Sequence, residues 1–258
     1  MPFFDVSDLT VFGLVMIRLT GMIVPHPFFG RRGIPATLNA GFALVLTILI
    51  TTSMPIAPLP DVNMFTFLFL GVKEFAVGFM AGMITRMFLA ILVVGGEVID
   101  MQLAIGMAKV FDPGTNASVS LTSTMFNSMY ALIFFLTNNH LTLISLTAQT
   151  FRMIPVGNFR INWQVMYYLP EFMSTIFLFA FKLAMPMIAI QVIVTIAVGI
   201  IMRAVPQINI FVLNIQFKLI IGLFVLITLI VPFVGFFERL VILNTEQIQH
   251  VWGHFIIN

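Results

Sequence analysis

"FTFLFLGVKEFAVGFMAGMITRMFLAILVV", Phe65 to Val94, decides what kind of fold this chain can adopt. It runs for about 30 residues, and only Lys73, Glu74 and Arg86 in it are charged. As a helix rising 1.5 Å per residue it would extend roughly 45 Å, well beyond a hydrocarbon core of about 30 Å. The stretch therefore predicts a membrane-type helix that overshoots a simple span. Lys73 and Glu74 are adjacent, so they point about 100° apart and do not face each other. Each needs a partner on another helix or chain, because an unpaired buried charge is costly. "GFMAG", Gly78 to Gly82, has the spacing that lets two helix backbones approach closely.

The whole chain agrees with this stretch. Of its 258 residues, 60% are hydrophobic and 9% charged, with a mean hydropathy of +1.10. Soluble domains carry roughly 25% charged residues, so water is not the natural solvent here. A formal charge of +2, scattered along the chain, excludes a nucleic-acid footprint. The absence of cysteine excludes disulfides, thiolate metal sites and cysteine catalysis. "MPFFDVSDLT" opens with acidic rather than basic residues, so the first apolar stretch is expected to be a retained helix, not a cleaved signal. The 29 Phe and 18 Met residues suit lipid-facing and core packing, or a soft surface that reshapes and seals.

Six hydrophobic blocks emerge, at about Leu9–Pro25, Ala36–Met54, Phe65–Val94, Leu121–Phe151, Pro170–Met202 and Phe211–Phe237. "PHPFFGRRGIP" joins the first two, with prolines and glycines typical of a turn-forming connector. Arg18 interrupts the first block. Lys182 and Lys218 lie inside later blocks and raise the same demand for partners or snorkelling as Arg86. Blocks three to five are too long for simple spans. Pro186 and the polar "TNNH" patch at Thr137–His140 suggest bends or hairpins within a block. Loop charges give no orientation: Arg31, Arg32, Lys109 and Arg203 on one side balance Arg152, Arg160 and Arg239 on the other. The fold class expected is all-α, polytopic, built of membrane-type helical hairpins with long bent helices and no internal repeat.

Between blocks three and four lies "GGEVIDMQLAIGMAKVFDPGTNASVS", Gly95 to Ser120. Glu97 and Asp100 are three apart and share a helical face. Capping, pairing between subunits, an ion path and a gate-associated role all fit two such acids. A helix from about Glu97 is expected to stop near Phe111, since Asp112 precedes a proline and Gly114 permits a turn. Ser118, Ser120 or Thr122 can then cap the next helix. Val110 and Phe111 stand as apolar groups beside that turn.

Catalytic and cofactor signatures are weak. His250 and His254 have helical spacing, but no acid lies between them. His140 suits a polar turn or an interface better than a catalytic base. No Ser-His-Asp set or phosphate-cradling glycine loop appears. The expectation is a protein without cofactor, metal or enzymatic activity.

The ordered set "FFGRRGIP", "EFAVGFMAG", "GEVIDMQLAIGMAKVFDPG", "NNHLTLI" and "MRAVPQINIFVL" resembles the FliR/SctT family of type III export-gate subunits, over nearly the whole chain. That resemblance implies a channel subunit assembled with FliP and FliQ homologues, held by basal-body rings in the bacterial inner membrane and projecting toward the periplasm. It implies a FliP-like portion over about 1–165 and a FliQ-like portion over 166–258. It maps a pore plug onto Met107 to Thr115, with Met107, Val110, Phe111, Asp112, Pro113 and Gly114 as its residues. Arg203 to Gln207 maps to the bend of the FliQ-like hairpin, near the cytoplasmic entrance and an FlhB homologue. Lys73, Glu74, Arg86, Glu97, Asp100, Gln102, Arg203 and Gln207 become gate-associated or inter-subunit polar residues, and Gly78 and Gly82 helix-packing positions. The implied cargo is unfolded flagellar protein, and SctT is the virulence-system alternative. Two departures mark this chain: Lys109 near the plug, and Ala104-Ile105 where relatives often carry Gly or Ser.

Rival classes make other demands. An ion-coupled transporter would use Glu97, Asp100 and the lysines as coupling sites, and usually brings internal repeats. An intramembrane enzyme needs paired catalytic groups at one depth, and none can be assembled here.

Overall fold

A computed structural model describes residues 6–31, 33–54, 56, 59, 62–105, 120–157, 165–204 and 210–253. Among these, eight helices and no strand are present. They are α1 (Val6–Ile23), α2 (Ala36–Ser53), α3 (Met64–Gln102), α4 (Leu121–Leu136), α5 (Asn139–Met153), α6 (Val165–Ala204), α7 (Ile210–Thr228) and α8 (Ile230–Gly253). The expected all-α, membrane-type architecture is borne out. By length and composition α2, α3 and Pro170–Arg203 of α6 could each cross a membrane, and the pairs α4–α5 and α7–α8, bent by 67° and 59°, each have the form of a broken span or a re-entrant loop.

The block boundaries need correction at three places. First, α3 does not stop at Gly95-Gly96. It is one helix of 39 residues, about 58 Å long at 1.5 Å per residue. It ends at Gln102 rather than near Phe111. The stop is made by Ala104, whose φ of 59° is left-handed, at the position past the helix end where glycine is the usual choice. Second, α6 continues for 40 residues through Pro186. That proline is exposed, and its missing N–H does not break the helix. Third, the last block continues to Gly253 but is interrupted at Leu229. Pro232 lies in the first turn of α8, where no intrahelical N–H is required. The "TNNH" patch does break its block, at Asn138 with φ 55°, a conformation asparagine tolerates better than most residues.

Two compact units divide the chain: 1–87, 138–170 and 242–258 form the first, and 88–137 and 171–241 the second. In the first, Val11, Leu14, Val15 and Leu19 of α1 pack with Leu46 and Ile50 of α2, Phe151 of α5, and Val156. Leu14, Val15 and Leu19 are wholly buried, and between helices in an apolar surrounding it is close van der Waals packing of such side chains that holds the contact. The connector after α1 is folded tightly on His26, which is 1% exposed. Its Nδ1 accepts from the backbone N–H groups of Phe28 and Phe29, both at 3.3 Å. Burial lowers the His26 pKa from 6.5 to about 3. In the second unit, the Phe126 ring meets Phe233 and Phe237 edge-on, at 5.0 and 5.3 Å between centroids.

Candidate functional site: a buried ion pair and the roots of the central segment

α1 and α3 meet through glycines. A Cβ on Gly78 would lie 1.8 Å from Arg18 O and 2.8 Å from Met22 N, and one on Gly82 2.4 Å from Met22 O. On the other side of the same contact, a Cβ on Gly21 would lie 2.4 Å from Phe75 O. No side chain fits at any of the three, so the backbones themselves are in contact.

That closeness lets two charges meet in the first unit. Arg18 Nε donates to Glu74 Oε2 at 2.6 Å, both side chains fully buried. Arg18 Nη1 donates to Thr150 Oγ1 at 3.1 Å, and Nη2 to Ile154 O at 3.0 Å. Its guanidinium lies 4.2 Å from the centroid of the Phe151 ring. Glu74 Oε1 accepts from Gly157 N at 2.8 Å, and Gly157 has φ 85°, which glycine alone adopts freely. Every arm of the pair is therefore hydrogen-bonded, the condition under which charges survive burial. Glu74 reads in the sequence as a charge that needs a partner, and nothing there singles out Arg18. Two lone charges of opposite sign in separate apolar blocks were the available signal.

The second cluster, in the second unit, ties α3 to the start of α4. Gly96 abuts α4: a Cβ there would lie 2.5 Å from Ser123 N and Oγ. Gly95, turned about 100° away on the helix, abuts α6, where a Cβ would lie 2.8 Å from Leu183 Cδ2. Ser120 caps α4, its Oγ accepting from Ser123 N at 3.0 Å. Ser123 Oγ donates to Val93 O at 2.8 Å. Asp100, 2% exposed, accepts at Oδ1 from Thr122 Oγ1 and from Thr122 N, the latter at 3.3 Å. One acid from the end of α3 thus satisfies an N–H that the first turn of α4 leaves open, and an acidic group at a helix N-terminus is also favoured by the helix dipole. Hydrogen bonds of this type contribute roughly 1–3 kcal/mol each when buried. Asp100 Oδ2 has no hydrogen-bond partner among the described residues.

The other expected positions spread out. Glu97 and Arg86 are exposed and Gln102 is half-buried. Lys73 is half-buried, with Nζ 4.6 Å from the Phe69 ring centroid. Arg203 is exposed in the last turn of α6. The Lys218 carbonyl accepts from Gln191 Nε2 at 2.9 Å, and Gln191 is wholly buried. Met107, Val110, Phe111, Asp112, Pro113, Gly114 and Gln207 lie outside the described residues. Among the described residues no group of three His, Asp or Glu side chains is placed to hold a metal.

Long apolar helices, glycine-mediated backbone contact and an internally neutralised ion pair define a polytopic helical protein of the membrane type. The chain belongs to the bacterial export proteins, family 1, whose family description matches residues 9–242. It is 29% identical over 230 residues to the flagellar biosynthetic protein FliR of Escherichia coli (strain K12), covering 88% of each chain. Against FliR of Bacillus subtilis (strain 168) it is 30% identical over 219 residues, with 84% of each covered. Against FliR of Aquifex aeolicus (strain VF5) it is 29% identical over 218 residues, with 83% of each covered. The FliR resemblance seen in the motifs is borne out.

Proposed function

We propose that this chain is a channel subunit of the flagellar type III protein export gate, passing unfolded flagellar proteins and closing the pore against ions between passages. The observation that carries the export role is membership of the bacterial export family across residues 9–242. The flagellar reading stands ahead of the virulence one because the relatives compared above are flagellar proteins. In this reading residues 1–165 are the FliP-like portion and 166–258 the FliQ-like portion. FliP and FliQ homologues complete the channel, an FlhB homologue meets its entrance near Arg203 to Gln207, and basal-body rings hold it in the inner membrane. No residue here needs to hydrolyse a nucleotide, and energy comes from partners.

The plug is assigned to Met107 to Thr115. A pore wide enough for a polypeptide would dissipate the proton gradient if left open. Apolar side chains can seal such a pore by dewetting and still yield to a substrate. Val110 and Phe111, next to the Asp112-Pro113-Gly114 break, have that chemistry. The Asp100–Thr122 contact supports the reading, since it joins the helices on either side of this stretch at its base. The test replaces Val110 and Phe111 with Gly, or deletes Phe111 to Thr115, and measures ion leak across the inner membrane. Leak should rise; an unchanged leak from a correctly assembled complex overturns the plug assignment.

A further inference from the structure

We propose that in the first unit the acyl chains of the membrane lie against α2 and not against α3, although α3 is the longer helix and both belong to that unit up to Met87. The inference goes beyond the export role and does not depend on the plug. α2 buries one stripe, Ala43, Leu46, Thr47 and Ile50, and packs on α1 through Leu46 and Ile50. Its other side is open, with Leu44, Val45, Ile48 and Leu49 all exposed in the middle of the helix. These bulky apolar groups exclude water as the covering phase.

Whatever covers that band is asked for neither charge nor hydrogen bond. No residue from Gly33 to Pro60 is charged. The threonines within the helix spend their protons internally: Thr47 Oγ1 donates to Ala43 O at 2.7 Å, Thr51 Oγ1 to Thr47 O at 2.8 Å and Thr52 Oγ1 to Ile48 O at 2.7 Å. Hydrocarbon imposes that condition, because it offers a polar group no partner. The length fits as well. The 18 residues of α2 rise about 27 Å, against a hydrocarbon core of about 30 Å. Exposed polar side chains stand toward the two ends, Arg31 and Thr37 at one and Thr52 and Ser53 at the other.

α3 fails the same conditions. Its uncharged runs before Arg86 are Met64–Val72 and Phe75–Thr85, both shorter than the roughly 20 residues of a bare crossing. Lys73 Nζ has the Phe69 ring 4.6 Å away, but no ion pair among the described residues. Arg86 is exposed. Basic side chains at membrane depth face protein or water-filled space rather than lipid. The open side of α3 is therefore left to protein or water.

The experiment uses the export gate purified from cells that make the whole flagellar export apparatus, with the sequence of this chain unaltered. It is placed in nanodiscs whose phosphatidylethanolamine carries a diazirine midway along one acyl chain. After illumination, lipid adducts are mapped along the chain. Adducts on residues 44–49 should exceed those on residues 64–72 about tenfold. Equal labelling of the two stretches overturns the proposal, since α3 then meets lipid as well. Background labelling of 44–49 also overturns it, since another protein then covers α2. The chain alone in the same nanodiscs separates that failure from failure of the gate reading. If 44–49 is labelled only when companion subunits are missing, the gate reading stands and the lipid assignment falls. If the chain never elutes with companions, the gate reading falls, and the tenfold contrast measured on the chain alone still decides the lipid face.

Discussion

Arg18 and Glu74 form an ion pair at 2.6 Å in which neither side chain has any exposure. The pair sits where α1 and α3 touch backbone to backbone, and Thr150, Ile154 and Gly157 complete its hydrogen bonds. Removing one partner strands the other charge. Arg18→Leu or Glu74→Leu should each destabilise the chain by about 3–5 kcal/mol, while the two together should cost much less than their sum. Thermal unfolding of the four proteins in one detergent measures the coupling. Additive losses would show that the pair does not act as a unit.

Gly78 and Gly41 make a matched contrast. A methyl on Gly78 meets the Arg18 carbonyl at 1.8 Å, whereas one on Gly41 in α2 meets nothing within 4 Å. Gly78→Ala should separate α1 from α3 and lower the melting temperature sharply, beyond the roughly 1–3 kcal/mol of ordinary overpacking. Gly41→Ala should be neutral or stabilise by up to about 1 kcal/mol, because it removes backbone freedom from a helix interior. Equal effects would refute the packing account.

Ala104 carries a left-handed φ of 59° just past the end of α3. Ala104→Gly should relieve about 1 kcal/mol of strain at that helix stop. Hydrogen exchange at the last turn of α3 would report it as slower opening. Faster exchange would mean that added chain freedom outweighs the strain removed.

His26 predicts a pH dependence. Its folded pKa, about 3, lies below the unfolded value of about 6.5. Between those values the unfolded chain binds a proton that the folded chain refuses. The stabilisation is therefore full above pH 6.5 and declines as pH falls toward 3, with a slope approaching about 1.4 kcal/mol per pH unit. Protonation would also remove the Nδ1 acceptor used by Phe28 N and Phe29 N. His26→Asn keeps an acceptor but does not titrate, so its melting temperature should vary less between pH 6.5 and 5 than that of the parent. Parallel pH profiles would rule out this histidine as the source.

The sequence exposed the class of fold through block length alone, and Gly78 and Gly82 through their spacing. Glu74 was recognisable as a charge in search of a partner. Thr150, Ile154 and Gly157 were not, because neutral groups 132 and 136 positions from Arg18, and 83 from Glu74, leave no local pattern. Gly95-Gly96 looked like a boundary, since adjacent glycines usually mark turns; here each admits a different helix. Proline was equally ambiguous: α6 runs through Pro186, whereas the interruption at Leu229 falls just before Pro232. Both are exposed, and they differ in place: Pro186 lies within α6 and Pro232 in the first turn of α8. The Ser and Thr cluster before α4 signalled a cap, and Ser120 takes that place. That an acid from the preceding helix would share the task was not encoded in any periodicity.

The distance between Arg18 and Glu74 along the chain has a consequence for how the protein is made. Glu74 leaves the ribosome 56 residues after Arg18, roughly 3–11 s later at about 5–20 residues per second. Thr150 and Ile154 follow later still. Until then α1 holds an arginine whose entry into lipid costs roughly 2.5–3.5 kcal/mol. The charge on α1 is thus neutralised only after α3 has followed it, and its hydrogen bonds are complete only after α5.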